Sequence, residues 1–489
     1  MGDQELGVIL TEGPEDWQIL QQGGAGSAQV AVGGRWVHEI PGRVEVRLVW
    51  EATGVPVTAA LDWQPATTRE HEPPAGGAGP AQPAAPLSAQ PGGTPTAGAW
   101  SAVLRDVPAG GLYRLETRFH ADNNPAGEWS TRGDMRHFLG VGDLWVIAGQ
   151  SNAAGYGRGP VEDSPELGLH MLRSSGHWAL AAHPLNESTD TQHPVNREAA
   201  NPSHSPYLHF ARLLKRALGC PIGLVPTALG GSPLQAWNPT EPGGAVLYHN
   251  MVRTVQRAGG RVRGILWYQG ESDAAGGPAE TYLQRFAAAV GAWRDALGDP
   301  QLPILTVQLN RYYTPPTEDL ERAWPMLREA QRQAARTIPG VYVVPSFDAP
   351  LSDLIHTSPA GNMVLGQRLA QVALGAVYGQ PVEYLAPDLQ GARRAEGGAM
   401  VELAFAPVTS RMDNVDITAN AFAVEDEGGP VAVKQVVYLG DALVRLRLER
   451  PLRGRAWVHG GYGLVPASVP VDMERLMPML GFYGVEVAG

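Results

Sequence analysis

Five compact apolar runs constrain this chain most: LWVIAG (144–149), IGLVPTA (222–228), GILWYQG (264–270), PILTVQL (303–309) and VYVVPS (341–346). None alternates apolar with polar side chains as a half-buried strand does, so they read as parallel strands covered on both faces. Stretches of helical spacing separate them. PYLHFARLLKRAL (206–218) and AETYLQRFAAAVGAWRDAL (279–297) place apolar residues at helical intervals, and a third helix starts with Ser358 as N-cap and Pro359 at its first position. Strand–helix alternation sustained over about 240 residues predicts a three-layer α/β/α domain with a parallel sheet.

The flanks carry a different pattern. VEVRLVW (44–50) and GLYRLETRF (111–119) alternate, as strands with one wet face should. Between them, residues 64–98 are dense in Pro, Ala and Gly, a composition that buries little apolar surface, so a long loop inside a β-domain is expected. Past residue 381, MVELAFA, VKQVVYL, ALVRLRLE and RAWVHGG again read as strands. The expected organisation is a β-sandwich-like domain (1–140), the α/β domain (141–380) and a β-rich domain (381–489).

Composition narrows the function classes. The 60 glycines and 42 prolines among 489 residues argue against a mostly helical protein. A formal charge of −12 argues against nucleic acid and anionic membrane as partners. Cys220 is the single cysteine, so no intramolecular disulfide forms, and it reads as a buried structural thiol. No Cys/His spacing resembles a zinc site, and neither metal nor organic cofactor is expected. The acidic N-terminus has no basic stretch followed by an apolar run, and no window is long enough to span a membrane. The expected compartment is the cytoplasm, or an exported location if a leader has been removed.

The strand 144–149 runs into Gly149-Gln150-Ser151-Asn152-Ala153, which places Ser151 at the carboxyl edge of the sheet, where α/β proteins bind ligands. Small neighbours permit the tight turn that exposes a nucleophilic hydroxyl. Such a serine needs a base, and the base an orienting carboxylate. Asp353-Leu354-Ile355-His356 supplies both on one loop, close enough for Asp353 to accept from His356 Nδ1 while Nε2 faces the serine. Asp348 is the alternative carboxylate. An oxyanion formed in acyl transfer requires fixed donors. The backbone N–H of Ser151, the glycine turn Gly230-Gly231, and the amide of Gln269 are candidates.

GQSNA (149–153), GGSPLQAW (230–237), WYQGESD (267–273) and DLIH (353–356), the last followed by a helix containing GQRLA, resemble in order and spacing the blocks of the SGNH hydrolases. Within them, the likeness is to the sialate O-acetylesterase and acetylxylan esterase group. TVQLNRY (306–312) and REAQRQAA (328–335) are similar too, and flanking β-domains recur in these esterases. The resemblance implies a flavodoxin-like SGNH fold, an acetylated carbohydrate as substrate, a Ser151–His356–Asp353 triad and Gly231 as the second oxyanion donor. It also departs from the pattern: Ser272 stands where many members carry an asparagine donor, so the third donor is either Gln269 or Ser272. Gln150, Asn152, Glu271 and Gln308 are expected to bind substrate or orient the site.

These residues also admit other readings. Ser151 as a turn serine, Asp353 as a helix cap, His356 as a buried core histidine and Gly230-Gly231 as a plain turn are the structural ones. Glu271 and Asp273 could serve a glycosidase as its two carboxylates, and a carbohydrate-binding protein with a vestigial triad is the remaining alternative. Trp237, Trp267 and Tyr268 are either a sugar-stacking wall or core. Six of the 13 histidines fall at 170, 177, 183, 193, 204 and 209, in a region read as a long loop over the site rather than a metal centre.

Overall fold

The computed structural model describes residues 7–70, 96–124, 130–276, 278–416, 420–440, 442–466 and 468–489. They form two compact units, Met1–Asp143 and Leu144–Gly489.

In the first unit, alternation along Gly42–Trp50 sends Val44, Val46 and Leu48 into the core and leaves Glu45 and Arg47 on the other face. The neighbouring strand Gly110–Ala121 answers with Leu115 and Phe119 inward and with Glu116 and Arg118 opposite Arg47 and Glu45. Opposite charges therefore pair across the strands, Arg118 to Glu45 at 2.6 Å and Arg47 to Glu116 at 2.7 Å, as cross-strand neighbours should. A second sheet runs in the order Gly7–Glu12, Ser27–His38, Thr96–Pro108, Thr67–Glu70, and adds Val30, Val32, Trp36 and Trp100 to the same core. Of the segment expected as a loop, residues 71–95 lie outside the described residues; its ends, Thr67–Glu70 and Thr96–Pro108, are paired strands.

In the second unit the five apolar runs are parallel strands. Their order is Ile222–Pro226, the end of Thr131–Gly149, Gly264–Tyr268, Ile304–Val307 and Val341–Val344. In chain order that is 2-1-3-4-5, the flavodoxin-like arrangement, in which a crevice opens at the carboxyl ends where the winding reverses. Two short strands that sequence reading missed, Leu169–Leu172 and Trp178–Leu180, extend the sheet beyond Ile222–Pro226. The longer helices among the described residues are Tyr207–Leu218, Val246–Arg257, Tyr282–Leu297, Glu318–Thr337 and Pro359–Val372. The last is capped as expected, Ser358 Oγ accepting the N–H of Gly361 at 3.3 Å.

From Asp388 onward the chain forms antiparallel sheets, one ordered Asp388–Ala395, Met400–Ala406, Leu443–Leu448, Val433–Tyr438 and another Gly429–Val431, Phe422–Asp426, Ala456–Gly460, Phe482–Glu486. Their core of Val401, Leu403, Val444, Leu446 and Val458 also takes in Phe347, from the segment after the last parallel strand. Among the described residues no helix is long and apolar enough to cross a membrane.

Candidate active site

The chain turns sharply at Gly149, with φ +124; a Cβ there would lie 2.2 Å from the carbonyl oxygen of Tyr268 on the next strand, so only glycine fits. Ser151 then opens a four-residue helix, Ser151–Ala154, half-buried at the sheet's carboxyl edge. As the first residue of that turn its N–H has no intrahelical acceptor, and none is present among the described residues.

The loop before the capped helix brings Asp353 and His356 together. Asp353 Oδ2 stands 2.7 Å from His356 Nδ1, while Oδ1 accepts the N–H groups of Ile355 (2.8 Å) and His356 (2.7 Å). Burial works against ionisation of Asp353, but these donors and the imidazole outweigh it and hold the carboxyl below its ordinary range. Asp348, the alternative partner, is clasped by Arg368 through two hydrogen bonds of 2.7 and 2.6 Å and serves that ion pair instead.

Asn152 joins the serine to this loop. Its amide nitrogen donates to the carbonyl of Ile355 (3.3 Å) and its oxygen accepts the N–H of Thr357 (2.9 Å), the residues on either side of His356. The same nitrogen donates to Glu271 Oε1 at 2.7 Å. Glu271 is buried, which pushes its carboxyl up against the effect of the Asn152 hydrogen bond. Gln150 holds the other side, its Oε1 accepting the N–H groups of Gly270 (3.4 Å) and Ser272 (3.2 Å). Tyr156 stacks on the His356 ring, centroids 5.1 Å apart and planes at 26°. Ser151 Oγ and His356 Nε2 share no hydrogen bond among the described residues; such contacts commonly tighten only with substrate bound.

Gly231 sits in a turn closed by the Ser232 N–H on the carbonyl of Leu229 at 3.3 Å, and its φ of +70 is the value a type II turn demands of its third residue. The turn is tied to the serine strand by the Leu229 N–H on the Gly149 carbonyl (3.0 Å). Among the described residues the N–H of Gly231 has no acceptor.

Two expected site residues stand elsewhere. Gln269 is no oxyanion donor: its Nε2 gives both hydrogens, to Asp273 Oδ2 (2.6 Å) and the Ser232 carbonyl (3.3 Å), and its Oε1 accepts from Tyr282 (2.9 Å). Gln308 does not face the site, because its amide bonds the backbone of Arg328 and Gly481 at 2.8–2.9 Å. Ser272 is committed too: its hydroxyl donates to the Gly231 carbonyl at 3.1 Å, bracing the glycine turn, and its N–H to Gln150. Trp237, Trp267 and Tyr268 are buried core, and Trp267 packs edge-on against Trp237 at 5.3 Å. Glu271 and Asp273 begin the helix Glu271–Gly276 and face different partners, since Asp273 pairs with Arg285 at 2.8 Å. Cys220 is buried, as expected.

Glu198 escaped sequence reading. It lies in an irregular stretch with no periodicity to mark it, yet its carboxylate accepts from Tyr156 Oη (2.8 Å) and from the N–H of Gly230 (3.1 and 3.2 Å). Two of the clustered histidines also have a defined place. His183 and His204 both approach Asp163 Oδ2 through Nε2, at 2.9 and 3.1 Å, and Arg212 takes Oδ1. These three ligand atoms lie within 4.8 Å of one another, a donor set of the kind that holds a divalent cation. Asn362 Nδ2 approaches His204 Nδ1 at 3.3 Å, which leaves the proton on Nε2 for Asp163. Hydrogen bonds and the Arg212 ion pair therefore already account for the cluster, which fastens the 158–205 segment to the helix following His356.

A flavodoxin-like sheet with a serine at its carboxyl edge and an Asp–His pair on a facing loop defines an SGNH-type hydrolase fold. The comparisons with known proteins narrow the class. Residues 141–375, just under half of the chain, match the model of the family described as carbohydrate esterase, sialic acid-specific acetylesterase. The "Probable carbohydrate esterase At4g34215" of Arabidopsis thaliana is 29% identical over 257 residues, covering 47% of this chain and 90% of its own. The crystal structure of XAC1771, a novel carbohydrate acetylesterase from Xanthomonas citri, superposes with a TM-score of 0.62 at 22% identity, over 96% of this chain and 97% of that one, so the likeness in fold includes both β-regions.

Proposed function

We propose that this chain hydrolyses O-acetyl esters of a sugar or glycan through an acetyl-serine intermediate, with Ser151 as nucleophile, His356 as base and Asp353 as its orienting carboxylate. The match of residues 141–375 to the carbohydrate esterase family model supports ester hydrolysis and an acetylated carbohydrate as substrate. The observation that carries the finer reading is the Asn152 side chain. It is adjacent to the serine and hydrogen-bonded on both sides of His356, so nucleophile and base share one rigid mount.

The chemistry follows from the atoms. As Ser151 Oγ attacks the acetyl carbonyl, His356 Nε2 takes its proton, and Asp353, bonded to Nδ1, stabilises the imidazolium. The developing oxyanion is received by the N–H groups of Ser151 and Gly231, neither of which has an acceptor among the described residues. His356 returns the proton to the sugar oxygen as the ester C–O bond breaks. Water, deprotonated by the same ring, then cleaves the acetyl-enzyme to acetate. The glycosidase alternative loses support, because Glu271 and Asp273 are buried and bonded to Asn152 and Arg285.

An organophosphonate tests the serine directly. We expect one covalent adduct on the peptide containing Ser151, and none in Ser151→Ala; an unlabelled wild type, or a label on another residue, contradicts the mechanism.

A further inference from the structure

We propose that Glu198 is a positioning residue of this site, fixing in one frame the ring that stacks on His356 and the turn that presents Gly231; the inference rests on the esterase reading above.

Glu198 is 5% exposed, and no Lys, Arg or His among the described residues pairs with it. A buried carboxylate without a cation is costly, and proteins retain one chiefly where its hydrogen bonds serve a site. All of its donors belong to the site's own frame. Tyr156, five residues beyond Ser151, gives its hydroxyl at 2.8 Å while its ring lies on His356. Gly230, the residue before Gly231, straddles both carboxylate oxygens with its N–H. Asn186 donates at 2.9 Å and also holds the carbonyl of Ala228, the residue before the same turn. The fit is close: a Cβ on Gly230 would stand 2.9 Å from Glu198 Oε2. Burial pushes the Glu198 carboxyl up, while the three kinds of donor favour its charged form. Of the groups that meet the reaction, the base and the Gly231 donor thus share one buried fixed point, reached from a segment far from either in sequence.

Removing that point loosens donor and base together without touching the acetyl group, so turnover should fall while binding persists. The test is kcat and KM of the full chain on an aryl acetate, with Ser151→Ala as blank. For Glu198→Gln, which keeps the shape but turns an amide N–H₂ against one of these donors, we expect kcat to fall about tenfold to a hundredfold with KM changed by less than about twofold. Its melting temperature should stay within about 3 °C of wild type. Tyr156→Phe keeps the ring and breaks the link; a drop of about threefold is expected, and adding it to Glu198→Gln should cost little more, because the two act through one contact. Wild-type kcat in Glu198→Gln, a change in KM alone, or effects of the two variants that multiply would each overturn the inference. If Glu198→Gln does not fold, Tyr156→Phe decides, and an unchanged kcat there overturns it. A wild type no faster than Ser151→Ala overturns the esterase reading and this inference with it.

Discussion

Asp353 and Asp348 lie five positions apart and either is close enough in sequence to serve His356, so sequence reading held both. The structure separates them by their neighbours: Asp353 curls back on the N–H groups of Ile355 and His356, and Asp348 is spent on Arg368. Asp353→Asn should therefore lower kcat by about 10³–10⁴-fold, the cost of presenting the wrong imidazole tautomer, and Asp348→Asn should leave it within about twofold. Steady-state rates of the two variants check this, and comparable losses in both would contradict the assignment. Ser151, Asp353, His356 and Gly231, to which the proposed chemistry assigns roles, could be named from residue type and chain order alone. Gln269 and Gln308 were misjudged because an amide's role depends on which neighbours claim its two ends, here Asp273 and Tyr282 for one and Gly481 for the other. Glu198 was invisible for the same reason: nothing local distinguishes a glutamate that is buried against a distant glycine turn.

At the scale of elements, strand ends and the loops that follow them are held by buried polar side chains as well as by packing. Arg328, on the helix Glu318–Thr337, is fully buried and donates to the carbonyls of Leu309 (2.9 Å), Asn310 (2.7 Å), Gly461 (3.1 Å) and Gly463 (2.7 Å). Its guanidinium also lies over Phe347, 4.7 Å from the ring centroid, and burial pushes its pKa down to about 9. One side chain thus stitches the end of a parallel strand to a loop of the C-terminal β-region. Asn310, anchored there, donates to Thr357 Oγ1 at 3.3 Å, one residue from His356. Arg328→Met would strand these carbonyls, and we expect about 3–5 kcal/mol less stability in urea unfolding. A loss below about 1 kcal/mol would show that the stitch is dispensable. The parallel strands and the helices Tyr207–Leu218, Tyr282–Leu297 and Pro359–Val372 were legible from pattern and capping, whereas Val246–Arg257 and Glu318–Thr337 were not named. The two extra strands were not, because LHML and WAL are too short to carry a period.

Over the whole molecule, the region beyond residue 381 belongs to the same compact unit as the parallel sheet, sharing Phe347 and the Arg328 stitch with it. Its stability should carry a pH signature. His459 is 4% exposed, accepts the N–H of Gly484 on Nδ1 at 3.0 Å, and burial pushes its pKa from 6.5 down to about 4. Glu425 stands 3.5 Å from its Nε2 but is 47% exposed, so water screens it. As pH falls, the unfolded chain takes up this proton first. Stability should therefore decline between about pH 6.5 and pH 4, by about 3 kcal/mol in all, and level off below. His459→Gln, which keeps an acceptor for Gly484, should flatten that part of the urea-unfolding profile; an unaltered slope would place the titration elsewhere. The central claim, a serine esterase acting on acetylated sugars, is tested most directly by acetate release. The panel is O-acetylated sialic acid, acetylated xylo-oligosaccharides and acetylated glucose, with Ser151→Ala in parallel. We expect the wild type to release acetate from at least one of these sugars and the variant from none; release by both proteins alike, or by neither, would contradict it.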